Sequence, residues 1–164
     1  MFNIGDIIIH SAHGLCEIDD ICERTYGGAT RSYYVLHPQE NPKLIINIPI
    51  DSKQVVMQKM MQREEAEEIL NCFQQPGIEW IEDNRQRSKQ YKSLVNSGDR
   101  KEIAKVAITL MRKNHEASEN KEKPYEPDRT LLANIKNIMF KELAVSLDTT
   151  YEDISKKVKH LISQ

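Results

Sequence analysis

Residues 84–113 hold nine lysines and arginines against two acids. Arg85, Arg87, Lys89 and Lys92 fall within one short stretch of that segment. On a helix, Arg85 and Lys89 stand i,i+4 and Lys89 and Lys92 i,i+3, so their heads form a stripe. Such a stripe can meet successive phosphates, and each neutralised phosphate releases counterions. Arg100, Lys101, Lys105, Arg112 and Lys113 extend the charge onto the next helix. Residues 59–83, just upstream, carry seven acids and two bases, while the remaining segments are mildly acidic. An ordinary solvated face is the alternative, and the scarcity of acids here, with the acidic stretch just before, counts against it. The pattern favours contact with a nucleic-acid backbone. Trp80, the single tryptophan, can stack on or wedge between bases, or pack between helices; composition alone favours packing.

Other chemistry finds little support. The six glycines make no phosphate-binding loop, and neither a nucleophile elbow nor a metalloprotease motif occurs. An enzyme is therefore not expected, nor a cofactor. His10 and His13 lie three apart in a strand–turn context without a third ligand, which suits turn packing better than a metal. Cys16, Cys22 and Cys72 are odd in number and form no CxxC pair, so neither a disulfide framework nor a zinc site is expected. Cys16 and Cys22 share a face if their strand is regular, and read as small buried hydrophobes. Glu64, Glu65, Glu67 and Glu68 read as the solvated face of a helix, well placed near its N-terminus. The start MFNIGD lacks the basic and apolar regions of a secretory signal. No run approaches the length of a membrane span, and a reducing cytoplasm is the expected compartment.

The elements that must position the basic stripe follow from periodicity. Ile7–Ile9, Leu15 to about Arg24, Tyr33–Leu36, Leu44–Ile48 and Val55–Met57 read as five short strands. Gly27-Gly28 marks a hairpin tip, and Pro38 to Pro42 a loop. Short strands with frequent turns predict a small, strongly bent β-barrel. The period turns helical from about residue 62, where Ala66, Ile69, Leu70 and Phe73 share a face. A second helix is predicted over 78–96. A third starts at Asp99 with Glu102 as its capping-box partner, on an apolar stripe of Ile103, Val106, Ala107 and Leu110. Residues 114–125 read as a loop. Asp128 is the expected cap of a fourth helix, and Thr149 or Thr150 that of a last one. The chain is thus expected to be α+β, with a β-barrel over residues 1–58 and a compact helical domain over 59–164.

Several of these residues resemble the CarD/CdnL family. Its opening is matched by Phe2-Asn3-Ile4-Gly5-Asp6, His13-Gly14, Tyr33-Tyr34-Val35-Leu36 and Ile46-Asn47-Ile48-Pro49. Its helical half is matched by Tyr91, Leu94, Ser97-Gly98-Asp99 and Lys141-Glu142-Leu143-Ala144. The N-terminal part also resembles the RNA-polymerase-interacting domain of transcription-repair coupling factors, which are far larger helicases. The resemblance implies a Tudor-like barrel docked on the RNA polymerase β subunit. It also implies a helical domain on promoter DNA at the upstream edge of the melted region, and a role in modulating open-complex stability. Carried over by residue, the polymerase-facing positions are Arg24, Ile46, Asn47, Ile48 and Pro49. The DNA-facing positions are Arg87 and Lys89, with Arg85 beside them, and Arg129 in the fourth helix. Some relatives carry a basic residue where this chain has Asn47. Some place a Trp wedge at the position of Asn84, one helical turn after Trp80, so either residue is a candidate for the fork. The rival reading is an interaction adaptor on polymerase without DNA contact.

Overall fold

A computed structural model describes residues 1–53 and 57–163. The chain divides into two compact units, Met1–Met60 and Met61–Gln164.

The first unit is a five-stranded antiparallel sheet. Its strands are β1 (Ile7–His10), β2 (Gly14–Tyr26), β3 (Ala29–Pro38), β4 (Ile46–Pro49) and β5 (Met57–Lys59), in spatial order β4-β3-β2-β1-β5. β2 and β3 meet in a two-residue turn with Tyr26 opposite Ala29. Gly27 and Gly28 both have positive φ there, the mirror-image turn whose twist suits a hairpin. The core alternates along the strands, with Cys16 and Ile18 facing Tyr34, Leu36, Ile8 and Ile48. Burial pushes the Cys16 thiol up to about 11, so it stays a protonated hydrophobe at neutral pH.

Two expectations need correction here. Among the described residues the sheet is open, with β4 and β5 as its edges, so closure into a barrel is not seen. Most of the expected fifth strand, Val55 and Val56, lies outside the described residues. Cys22 also does not share a face with Cys16. A bulge between Ile18 and Asp20 places Asp20 opposite Val35 and Cys22 opposite Tyr33, while Ile18 stands opposite Leu36. One extra residue reverses the inward and outward sides, so Ile21 rather than Cys22 packs on the core.

The second unit is helical: α1 (Arg63–Asn71), α2 (Asn84–Asn96), α3 (Arg100–Glu119), α4 (Glu126–Ile135), α5 (Lys141–Ser146) and α6 (Tyr151–Ile162). A 3-10 turn (Cys72–Gln74) follows α1, and a π turn (Lys136–Phe140) joins α4 to α5. Their stripes bury one apolar core that includes Ile69, Phe73, Tyr91, Ile108, Phe140 and Ile154. Asp99 and Thr150 cap α3 and α6 as the sequence predicts.

Three boundaries differ from the sequence reading. Residues 78–83 are not helical, and α2 begins at Asn84 behind Asp83, whose carboxylate accepts from the Gln86 N–H at 2.8 Å. The Ile78 and Glu79 backbone is taken up by tertiary bonds instead. Ile78 N–H donates to the Lys105 carbonyl, Thr109 Oγ1 to the Ile78 carbonyl, and Tyr91 Oη to the Glu79 carbonyl. Gly77 permits this close approach, because a Cβ there would run into Thr109. The helix α3 runs on to Glu119 through the polar stretch that suggested a loop. The polar residues there stand in spaced pairs, Lys113 with Glu116 at 3.5 Å and His115 with Glu119 at 3.2 Å. It ends with Lys121 in the left-handed region (φ 56°) and Glu122 N–H bonded to the Ala117 carbonyl. Asp128 does not cap α4. The cap is Tyr125, and Asp128 is buried within the unit.

Candidate functional site

The stripe of Arg85, Lys89 and Lys92 lies open on α2. All three side chains are exposed, and no carboxylate pairs with any of them among the described residues. Most of the remaining cations of the segment are neutralised. Arg100 bonds Glu142 at 2.8 Å, Lys101 meets Glu68 at 3.8 Å and Lys105 meets Glu102 at 3.2 Å. Arg129 is exposed but sits 3.2 Å from Glu126, so it adds little free charge.

Arg87 stands elsewhere. It is 1% exposed and is the largest fully buried side chain of the molecule. Its Nη2 donates to Asp128 Oδ2 at 2.7 Å and to Asn84 Oδ1 at 2.8 Å. Its Nε donates to the same Asp128 carboxylate, and its Nη1 to the Ile81 carbonyl at 2.8 Å. Trp80 lies 4.1 Å from the guanidinium and Tyr125 5.5 Å. The expectation that Arg87 faces DNA is therefore corrected: this guanidinium ties the entry of α2 to α4. The signal was available in the sequence, since Arg87 precedes the core residue Tyr91 by one helical turn while Arg85, Lys89 and Lys92 mark another face. Its partner Asp128 was missed, because an acid so early in a helix reads as a cap.

Trp80 and Asn84 are likewise separated in role. Trp80 precedes α2, is half-buried, and its ring is engaged by Arg87 and by Lys113 at 4.9 Å. It packs against the helical core. Asn84 is exposed at the first turn of α2, with its side-chain oxygen held by Arg87. Of the two fork candidates, Asn84 is the one presented to solvent beside Arg85. Around them lies a cleft of about 300 Å³ between the start of α2, the end of α3 and the approach to α4.

In the sheet unit four of the candidate docking residues, Ile46 to Pro49, lie on an edge strand. Among the described residues β4 pairs only with β3, Ile46 opposite Leu36 and Pro49 opposite Tyr33. Ile48 points into the core while Asn47 is exposed. Exposed Leu44 and Ile45 precede the strand. An edge of this kind can accept another chain's strand through main-chain hydrogen bonds. Arg24 is exposed on the outer part of β2, opposite Arg31.

Residues 2–61 match the CarD-like/TRCF RID domain, and residues 68–159 match the CarD C-terminal domain. The chain belongs to the CarD family. This is a family of RNA-polymerase-interacting, non-enzymatic transcription regulators, and both of its domains are present here in order. No curated protein matches the chain. The two CarD domains correspond closely to the two compact units, which divide between Met60 and Met61. No helix among the described residues is long and apolar enough to cross a membrane.

Proposed function

We propose that this CarD-family protein binds the RNA polymerase β subunit through the β4 edge and Arg24, on a Tudor-like sheet. The α2 face then rests on promoter DNA at the upstream edge of the transcription bubble. The observation that carries this reading is the unpaired stripe Arg85, Lys89 and Lys92 inside a CarD C-terminal domain. Three point charges at helical spacing grip a phosphate backbone and read no sequence. Binding to DNA alone is then weak and salt-sensitive, and attachment to polymerase raises the local concentration of the contact. A higher affinity for the open than for the closed complex shifts promoter melting. Asn84 is the residue offered to the fork, and an amide there makes a weaker wedge than an indole.

The test reverses the charge of Arg85, Lys89 and Lys92 to Glu in the full chain. Open-complex lifetime should lose its response to the protein while polymerase binding is retained. The log–log salt slope of DNA binding should fall by about 3, one per lost phosphate contact. Retained polymerase binding with unchanged open complexes would leave an adaptor without DNA contact.

A further inference from the structure

A second concave surface lies apart from the α2 stripe. It is an open cleft of about 700 Å³ between α3, the end of α4 and the end of α6. Met111, Leu132 and Ile162 give it an apolar floor, and Arg112, Lys136 and Lys159 provide cations around it. The two acidic or titratable neighbours in its wall are already engaged, Glu116 by Lys113 and His115 by Glu119. No carboxylate pairs with Arg112, Lys136 or Lys159 among the described residues; Arg112 has only the Gln75 carbonyl, at 3.4 Å. Lys136 is half-buried and opens the π turn, a geometry frequent at functional sites. Burial and the nearby Lys159 hold its ammonium below the ordinary lysine range. Two lysines that repel one another beside an apolar floor are stabilised by an anion that also brings apolar surface.

We propose that this cleft docks an acidic amphipathic segment of a partner protein, its carboxylates on Arg112, Lys136 and Lys159 and its apolar side chains on Met111, Leu132 and Ile162. A nucleic-acid backbone would satisfy the cations but leave the floor uncovered. The protein's own acidic helix α1 cannot serve from a second copy, because its apolar residues Ala66 and Ile69 are buried in its own core. Met111, unbranched and polarisable, lets such a floor adapt to several side chains. The proposal does not depend on the DNA contact of α2.

The probe is a fluorescein-labelled helical peptide of about four turns, with Leu at i, i+3, i+4 and i+7 flanked by Glu. Anisotropy on the full chain should show saturable binding. Replacing its Glu by Gln, or pairing K136Q with K159Q in the protein, should each weaken binding about tenfold. The exposed single variant K159E should weaken it in the same direction, guarding against misfolding of the double variant. A shuffled peptide of equal composition should not bind. Equal binding of the shuffled peptide, insensitivity to the lysine variants, or no binding at all would each overturn the proposal. So would displacement of the peptide by a short DNA duplex or by dodecanoate, which would assign the cleft to nucleic acid or to a fatty acid.

Discussion

Replacing Arg87 by Ala should destabilise the helical unit by about 3–5 kcal/mol at neutral pH, the cost of leaving a buried partner charge uncompensated. Arg87 and Asp128 have side chains 2% and 7% exposed. Removing the guanidinium strands the Asp128 carboxylate in the interior and frees the Ile81 carbonyl and Asn84 amide as well. Asp128→Ala should cost a comparable amount for the mirrored reason. The double variant should fall well short of the sum, because the two changes remove one interaction. Arg87→Lys should recover little, since a single ammonium cannot span the carboxylate, the carbonyl and the amide together. Denaturant unfolding of the full chain, followed by the fluorescence of Trp80 beside the guanidinium, measures this directly. A midpoint unchanged in Arg87→Ala would show that the ion pair contributes nothing net. The prediction also bears on function: a charge reversal that includes Arg87 would unfold the unit and report on DNA contact only by accident, whereas Arg85, Lys89 and Lys92 can be reversed at little structural cost.

Lowering the pH from about 6.5 to 4 should cost the sheet unit about 3 kcal/mol through His10 alone, from roughly 1.4 kcal/mol per pKa unit. His10 is buried at the end of β1, and its Nδ1 accepts the N–H groups of Ala12 at 3.0 Å and His13 at 3.1 Å. Burial, and secondarily the neighbouring His13, lower its pKa to about 4 from 6.5. Two amides aimed at one lone pair fit the neutral ring and oppose a proton there. In the unfolded chain the ring takes up its proton as pH falls through 6.5, while the folded ring refuses it until about 4. The unfolded state therefore binds more protons across that window. The contribution is fully present above 6.5 and is lost as pH falls through 4. The variant His10→Asn, whose side-chain oxygen can accept in place of Nδ1, should flatten this slope in denaturation series followed by tyrosine near-UV circular dichroism. An equally steep slope in the variant would assign the pH dependence to the carboxylates.

Much of the fold was legible because local signals agreed with each other. The Gly27-Gly28 tip, the alternation around Tyr34 and Leu36, and the caps Asp99 and Thr150 each name an element without tertiary help. The failures share a cause. Whether 78–83 coils was decided by Lys105, Thr109 and Tyr91, residues far along the chain. Residues 114–119 continue a helix whose exposed pairs stand i,i+3 and i,i+4, a spacing that looks like mere polarity when read in line. The bulge that turned Cys22 away has no marker in its own residues. For the candidate interface, the sorting of charge pointed to the helix that carries three exposed cations, and helical spacing set those three apart from the buried fourth. Telling a structural arginine from a ligand-facing one required its carboxylate, and Asp128 is 41 residues away.

The β2–β3 ribbon also bears on how the sheet comes together. Ten residue pairs, from Tyr26 opposite Ala29 to Cys16 opposite Pro38, follow from a single two-residue closure. No other pairing in this unit gains so much order for so little chain confined, since loop-closure entropy grows with the span enclosed. The ribbon is the natural nucleus: it can zip from its glycine tip inward, giving β1 and β4 a finished template on either flank. Substitutions at Thr25 or Thr30, whose hydroxyls meet at 2.8 Å near the tip, should accordingly slow refolding more than they hasten unfolding.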